Sequence, residues 1–368
     1  MPPSNSGSGN FFASLPGIVV VGAVIGVLAP VLQHLGNPAN MGVCVACMER
    51  DIAGAIGLHR AAVVQYLRPE IIAFVLGSLA AAFLSREFKP RGGSAPITRF
   101  VLGMAAMIGA LVFLGCPWRA ILRLAGGDGN ALLGIAGLAA GIWVGTLFFR
   151  QGYSLGRSSR QSMATGLMLP LVMLGLLALR FLYPPVAGIE QSGVLFYSQK
   201  GPGAAFAPLA VSLGAGLLIG FLAQRSRFCT MGAIRDTILF RQNHLLAGLL
   251  ALLVVAFAAN LVLGQFRPGF EGQPIAHTQG LWNFAGMLVA GLAFALAGGC
   301  PGRQLFLVGE GDSDAGVFVL GMITGAAVAH NFGLASSAAG IGPHGVAAVA
   351  VSLAVCLFIG FANRQSVA

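Results

Sequence analysis

The chain contains 368 residues, of which 57% are apolar and only 9% are charged, and its mean hydropathy is +0.85. A soluble globular domain carries about 25% charged residues, and a disordered chain has low hydrophobicity, so this composition excludes both classes. The net charge of +10 does not indicate a nucleic-acid partner, because no basic tract has interleaved aromatic residues. The composition predicts an all-α polytopic membrane protein that contacts lipid.

Ten apolar stretches approach or reach the length that crosses a bilayer, on the order of 20 residues. They lie at about 15–33, 70–86, 98–115, 130–149, 164–183, 205–223, 244–264, 281–298, 314–333 and 345–362. Shorter semi-apolar segments follow the first, third, sixth and eighth stretches. Segments of that length are typical of re-entrant helices, which enter the membrane and leave on the same side.

Arginines and lysines are unevenly distributed between the predicted spans. If the N-terminus lies in the cytoplasm, the inner loops hold more of these residues than the outer loops, as the positive-inside rule requires. We therefore expect both termini in the cytoplasm and a location in the inner (plasma) membrane.

The two halves of the chain repeat one pattern. Cys44 precedes the pair Arg50–Asp51 by six residues, and Cys229 precedes Arg235–Asp236 by six, at an offset of 185. A Gly-Cys-Pro-x-Arg motif occurs twice at an offset of 184, half the chain length, at 115–119 and 299–303. Self-similarity of this kind indicates an internal duplication.

The duplication predicts a first repeat over residues 1–183, a linker over 184–204 and a second repeat over 205–368. Re-entrant segments are expected at about 41–60 and 115–125 in the first repeat, and at about 226–241 and 299–309 in the second. Because each repeat has an odd number of crossings, the two must have opposite orientations. Inverted repeats are typical of transporters, whose substrate site lies at the repeat interface near the bilayer midplane. We expect the half-helices to meet there.

The Gly-Cys-Pro-x-Arg motif predicts the start of a helix. Proline is favoured at the first helical position, so Pro117 and Pro301 make the preceding cysteines N-caps. Gly115 and Gly299 are expected to let the backbone turn sharply before the cap. The free N–H groups and the partial positive charge of a helix N-terminus suit an anion.

One turn into each predicted half-helix, Arg119 and Arg303 would add a full positive charge. These side chains could instead snorkel or pair with Asp128 and Asp312. The other two half-helices contain the pairs Arg50–Asp51 and Arg235–Asp236. These pairs are expected to anchor their helices, by bonding to each other or to exposed backbone groups.

Four cysteines occupy matched positions in the two repeats, namely Cys44, Cys116, Cys229 and Cys300. A thiol is soft and polarizable, which matches sulfur or selenium in a ligand. Cys356 has no repeat partner and is expected to be a structural core residue.

Cys47 completes a Cys-x-x-Cys motif with Cys44 in the first repeat only, which leaves a redox or substrate role open. A zinc site would need two further ligands, and His34 and His59 have no regular spacing, so neither a metal nor a cofactor is expected. No acidic residue lies deep inside any predicted span, so proton or sodium coupling lacks its usual carrier. His330 is expected to be a hydrogen-bonded packing residue.

Four motifs together resemble the YeeE/YedE family of membrane proteins, which bear a sulfur transport domain. They are MGVCVACMERDIAGAIGLHRA at 41–61, GCPWRAILRLAGGDGNA at 115–131, SRFCTMGAIRDTILFR at 226–241 and GGCPGRQLFLVGEGDSDAG at 298–316. The first two look most like the selenium-associated YedE branch. The resemblance implies an hourglass-shaped protein in which cysteines line a constriction and pass an anion along through S–H···S hydrogen bonds.

By motif, the resemblance assigns this role to Cys116, Cys300 and Cys229, and the repeat adds Cys44. The Cys44–Cys47 pair departs from the simple thiosulfate pattern and favours a selenium compound or a redox step. The resemblance also implies a TusA-like cytoplasmic carrier protein as a possible partner.

The sequence thus predicts a non-enzymatic permease that imports a small sulfur or selenium species, such as thiosulfate or selenite, along a thiol-lined path. One alternative is a membrane thiol-disulfide oxidoreductase that uses Cys44 and Cys47. Another is a scaffold that recruits a cytoplasmic sulfur or selenium carrier through the inner loops at 86–99 or 225–243.

Overall fold

The computed structural model describes residues 10–364, and this part of the chain is almost entirely helical. The helices are α1 Leu15–His34, α2 Val45–Ala55, α3 Pro69–Leu84, α4 Pro96–Phe113, α5 Pro117–Ala125, α6 Asn130–Arg150, α7 Met163–Leu182, α8 Leu209–Ser226, α9 Thr230–Phe240, α10 His244–Val262, α11 Gly280–Ala297, α12 Pro301–Gly309, α13 Ser313–Asn331 and α14 Gly345–Ala362. Two short 3₁₀ helices, Phe11–Ala13 and Pro202–Ala204, precede α1 and α8.

Two antiparallel pairs of very short strands lie in the loops. Strand β1, Arg91–Gly92, pairs with β2, Ser159–Arg160, and β3, Gln191–Ser192, pairs with β4, Leu195–Phe196. The first pair ties the α3–α4 loop to the α6–α7 loop. Neither pair forms a layer of the fold.

The ten predicted spans correspond to α1, α3, α4, α6, α7, α8, α10, α11, α13 and α14, with ends within four residues of the expected positions. Within residues 10–364, nine helical stretches are long and apolar enough to cross a membrane. The tenth, α3, has 16 residues. At 1.5 Å per residue it spans about 24 Å, less than the roughly 30 Å of a hydrocarbon core. The prediction of an all-α polytopic membrane protein is confirmed.

Each of the four semi-apolar segments contains one short helix, and each of these helices has a cysteine as its N-cap. In α2 and α9 the sulfur itself caps the helix: Cys44 Sγ accepts from the Cys47 N–H at 3.4 Å, and Cys229 Sγ accepts from the Gly232 N–H at 3.3 Å. In α5 and α12 the residue after the cap is proline, which has no N–H to satisfy. Local sequence therefore fixes where these helices begin.

The long helices pack in reciprocal pairs. Helix α1 packs on α10 as α8 packs on α3, and α6 packs on α11 as α13 packs on α4. At two of these interfaces a glycine lies directly on a carbonyl: Gly137 on Phe284 and Gly321 on Phe100. These two glycine contacts are repeat counterparts, because adding 184 to the number of Gly137 gives Gly321 and subtracting 184 from that of Phe284 gives Phe100. Small residues allow helices to approach this closely in a membrane, and the reciprocity supports the predicted repeat.

Candidate functional site

The first-half thiols lie together where the tips of α2 and α5 meet. Cys44 and Cys116 are the N-caps of these two helices, and their side chains are neighbours. Cys47, one turn into α2, directs its sulfur at the carbonyl oxygen of Leu114, at 3.8 Å. All three side chains are buried, and all are free thiols. The structure thus brings the Cys-x-x-Cys pair and the first proline-linked cysteine into one cluster, which we call the first thiol cluster.

The guanidinium of Arg119 lies against the first thiol cluster. It donates to the carbonyl oxygens of Leu114 and Ile275, the latter at 3.1 Å, and to Cys47 Sγ at 3.8 Å. The Arg119 side chain is fully buried. Within the described part of the chain, no carboxylate lies within 4 Å of it. The first thiol cluster therefore carries a buried positive charge that no acidic side chain neutralises.

The expected alternative, a pair between Arg119 and Asp128, is wrong. Asp128 instead bonds Arg123, with Nε 2.6 Å from the carboxylate. The corresponding expectation for Arg303 and Asp312 is also wrong, because Asp312 bonds Arg91 at 2.8 Å. Asp128 and Asp312 thus pair with Arg123 and Arg91, and not with the motif arginines.

The second-half thiols form a simpler pair. Cys229 and Cys300 are the N-caps of α9 and α12, and their sulfur atoms lie 3.8 Å apart, with Cys229 oriented as the donor. Both side chains are buried. The second-half counterpart of Arg119 is Arg303, whose Nη1 bonds Glu310 at 3.1 Å. Glu310 also lies 3.4 Å from Arg91 and 3.6 Å from Arg227. Arg303 therefore shares a carboxylate partner, whereas Arg119 has none among the described residues.

The sharp turns before the motif cysteines occur one residue earlier than expected. The left-handed backbone conformations belong to Leu114, at φ 65°, and Gly298, at φ 87°. Gly115 and Gly299 have no such conformation. Gly115 is instead needed for close packing, because a Cβ there would lie 2.8 Å from Cδ of Arg119. Because Gly115 has no side chain, the methylene groups of the Arg119 side chain can lie against the Gly115 backbone.

Trp118 lies between the two groups of thiols, a position that sequence reasoning missed. It follows Pro117 in α5, and its ring centroid is 5.9 Å from that of Phe228, the residue before Cys229. A Cβ on Gly302, near the tip of α12, would lie 3.3 Å from the Trp118 ring. Trp118 and Gly302 are matched at the 184-residue offset, so the indole fills the space that its own counterpart leaves empty. The sequence held a clue to this contact, because a large residue in one motif, Trp118, is matched by glycine in the other.

The Arg-Asp pairs occupy α2 and α9. Arg50 makes two bonds to Asp51, at 2.7 and 2.9 Å, and Arg68 bonds the other oxygen of Asp51 at 2.8 Å. Arg235 bonds Asp236 at 2.8 Å. The first pair is buried and ties α2 to the start of α3, whereas the second is partly exposed. These contacts fit the predicted anchoring of the half-helices.

A cavity of about 270 Å³ leads toward Arg119. It is lined in part by Asn40, Arg267, Gln273 and Pro274. The carbonyl oxygen of Pro274 is 3.4 Å from Arg119 Nη2. Pro274 therefore lines this cavity and also contacts the buried guanidinium.

Two further residues have environments that the sequence did not predict. The His330 ring packs against that of His59, with centroids 4.6 Å apart and planes tilted by 34°, but its Nε2 has no hydrogen-bond partner among the described residues, so the expected hydrogen-bonded role is not what the structure shows. Glu49 is fully buried in α2, outside the ten predicted spans. Cys356, by contrast, is a buried residue of α14, as expected. Over residues 10–364, no group of three or more His, Cys, Asp or Glu side chains could hold a metal ion.

Parts of the chain are similar to known sulfur-transport proteins. Residues 225–359 match the family model described as Sulphur transport. The thiosulfate transporter TsuA of Spirochaeta thermophila is 36% identical over 100 residues, which are 26% of this chain and 30% of that protein. TsuA of Escherichia coli is 30% identical over 106 residues, 29% of this chain and 30% of that protein. The chain thus aligns with about a third of the length of each relative.

Proposed function

We propose that this chain is a membrane transporter of the sulfur-transport (YeeE/YedE) kind that imports a small sulfur anion like thiosulfate, and the match of residues 225–359 to the Sulphur transport model supports this proposal. The proposal draws the substrate class from the two TsuA relatives and the path from the buried thiols. The chain acts as a permease and performs no chemistry on its substrate.

The uncompensated charge of Arg119 beside three thiols carries this proposal. Thiosulfate combines negative charge with a terminal sulfur atom. The guanidinium supplies the charge in a region of low dielectric, where such an attraction is strong. Cys44, Cys47 and Cys116 supply polarizable donors to the sulfur. No other cluster of the described chain offers both properties together.

The anion's path begins in the cavity beside Arg267 and passes Arg119 to the first thiol cluster. It then crosses the level of Trp118 and reaches Cys229 and Cys300. Since Arg303 has a carboxylate partner there, the second pair binds an anion more weakly than the first. An anion that follows its own concentration gradient inward would bind at the first thiol cluster and be released from the second pair, on the side that the positive-inside rule predicts to be cytoplasmic.

The repeat supplies the symmetry of this path. We place the four short helices as re-entrant segments, two from each face, in repeats of opposite orientation within the inner membrane, with both termini in the cytoplasm. The reciprocal packing of the long helices and the exchanged glycine contacts support this arrangement. A TusA-like carrier that takes the anion from the cytoplasmic face is part of the same proposal.

Uptake into vesicles that contain the purified protein tests the function. Radiolabelled thiosulfate is competed with sulfate, sulfite, selenite and sulfide. We expect unlabelled thiosulfate and sulfide to compete, because their sulfur is accessible, and sulfate to compete weakly because four oxygens enclose its sulfur. Equal competition by sulfate, or no uptake above protein-free vesicles, would contradict the proposal. Competition by selenite alone would place the substrate in the selenium branch.

A further inference from the structure

Glu49 is a buried carboxyl group that nothing in the described part of the chain satisfies. Its side chain has 0% exposure, and neither carboxyl oxygen has a hydrogen-bond partner there. No arginine, lysine or histidine nitrogen of residues 10–364 lies within 4 Å of it. A carboxylate without a partner is strongly disfavoured in such surroundings, so the group carries its proton in this conformation.

The environment of Glu49 is an apolar cavity of about 210 Å³ between α2, α3, α7 and α13. Its lining includes Ile52, Ile71, Met173 and Ile323, and Thr324 is the other polar residue at its wall. A cavity of this kind leaves room for the Glu49 side chain to change its orientation. An ionised Glu49 side chain is unstable in this cavity, because no charged group there can stabilise the carboxylate, and it would move out of the cavity.

The charged groups on the surrounding helices have other partners. On α2, Arg50 and Asp51 bond each other, and Arg68, which precedes α3, bonds Asp51. Glu70 of α3 bonds Asn37 and Ser212, Arg180 of α7 lies 3.4 Å from the Tyr66 hydroxyl, and Asp314 of α13 accepts from the N–H groups of Gly93 and Ser94. His330 of α13 packs against the ring of His59. Glu49 is therefore the group on this side of α2 whose ionisation would change the local charge without breaking an existing ion pair.

Glu49 and the thiols occupy opposite faces of the same short helix. Cys47 and Glu49 are two residues apart, which is about 200° around a helix of 3.6 residues per turn. The repeat counterparts of these two residues, at the 185-residue offset, are Gly232 and Ile234. The first repeat therefore differs from the second by adding both a thiol and an acid to one half-helix. A movement of α2 that follows the charge of Glu49 would also move Cys44 and Cys47.

We propose that Glu49 is the proton-binding site that couples anion import to a proton gradient. The inference rests on the proposed function. In each cycle one proton from water on the outer side binds a carboxylate oxygen of Glu49, and the same proton is released from that oxygen to water on the inner side. The import of an anion into a cell that is negative inside is opposed by the membrane potential. Entry of a proton with the anion reduces that opposition.

The experiment measures thiosulfate uptake into vesicles at equal pH on both sides and with an acid exterior. If one proton accompanies each anion, a gradient of one pH unit raises the equilibrium accumulation about tenfold, since a tenfold proton ratio supplies the driving force. We expect this stimulation in the wild-type protein and in Thr324→Val, a control at the wall of the same cavity. Glu49→Gln should keep uptake at equal pH and lose the stimulation.

Stimulation that persists in Glu49→Gln overturns the inference, as does its absence from the wild-type protein while uptake at equal pH proceeds. In the second case the proposed function stands, whereas an absence of uptake under both conditions refutes the function itself. Should Glu49→Gln fail to insert, Glu49→Asp keeps an acid and must keep the stimulation; loss of it with normal uptake at equal pH overturns the inference. Infrared difference spectra between wild type and Glu49→Asp or Glu49→Gln should contain the carbonyl band of a protonated acid, and its absence would also overturn the inference.

Discussion

Truncation of Trp118 to alanine tests whether the indole separates the two groups of thiols. The ring is 2% exposed and lies 5.9–6.1 Å, centroid to centroid, from the rings of Phe74, Phe228 and Phe306. Its repeat counterpart, Gly302, has no side chain that could fill the space. The Trp118→Ala substitution therefore opens a gap directly between the helix tips that carry Cys116 and Cys300.

The magnitude of the stability loss follows from this packing. Truncation of a buried tryptophan to alanine costs about 3–5 kcal/mol, of which part is lost burial and part is the cavity that remains. The indole Nε1 has no hydrogen-bond partner among the described residues, so no hydrogen bond is lost with it. We expect a lower thermal midpoint in detergent but faster thiosulfate uptake, and we expect sulfate to enter as well, because the barrier that separates the thiols has been removed.

A matched control separates the two effects. Phe148→Ala also removes a buried aromatic ring, one that packs on Phe361 of α14, with ring centroids 5.0 Å apart, and not on a short helix that carries a motif cysteine. It should lower the midpoint without accelerating uptake. The assay is the initial rate of thiosulfate and sulfate uptake per inserted molecule, with the midpoint measured on the same preparations. If Trp118→Ala is stable enough to insert and its uptake is no faster than that of Phe148→Ala, the reasoning about Trp118 is refuted.

Three further predictions concern the thiols and the charges. Arg119→Lys keeps the charge but loses the planar fork that reaches three carbonyls and a thiol, so we expect at least a tenfold rise in the thiosulfate concentration for half-maximal uptake, equivalent to about 1.4 kcal/mol; an unchanged value would count against Arg119 as the anion site. Cys116→Ser should lower uptake strongly, because oxygen is much less polarizable than sulfur, whereas Cys356→Ser in α14 should leave it unchanged; equal effects would remove the special role of the motif thiol. Burial raises the pKa of Glu87, but the hydrogen bond from Gln224 and the charges of Arg227 and Arg225 outweigh it and hold the pKa below the usual range. Glu87 therefore stabilises the fold above the ordinary carboxyl pKa and loses this effect as pH falls through its own lower pKa, so Glu87→Gln should flatten the acid side of the midpoint-versus-pH curve, and a curve that keeps the wild-type slope would show that these contacts do not contribute.

The sequence by itself determined the helices, because their causes are local. Apolar length set the ten long helices to within four residues, and the cysteine caps and prolines set the starts of the four short ones. The offsets of 184 and 185 residues are a property of the sequence alone, and they are sufficient to identify the matched cysteines. The selenium branch, the inverted orientation of the repeats and the direction of transport stay predictions.

Tertiary structure decided which charges are neutralised and which groups separate the thiols. Arg119 and Arg123 are equally plausible partners for Asp128 along the chain, and only their directions in space assign the ion pair to Arg123. Trp118 meets Phe228 and Gly302 from segments more than 100 residues away, and Glu49 is enclosed by helices from both halves. Periodicity and spacing report on neighbours along one helix, whereas burial and electrostatic compensation depend on neighbours contributed by the rest of the fold.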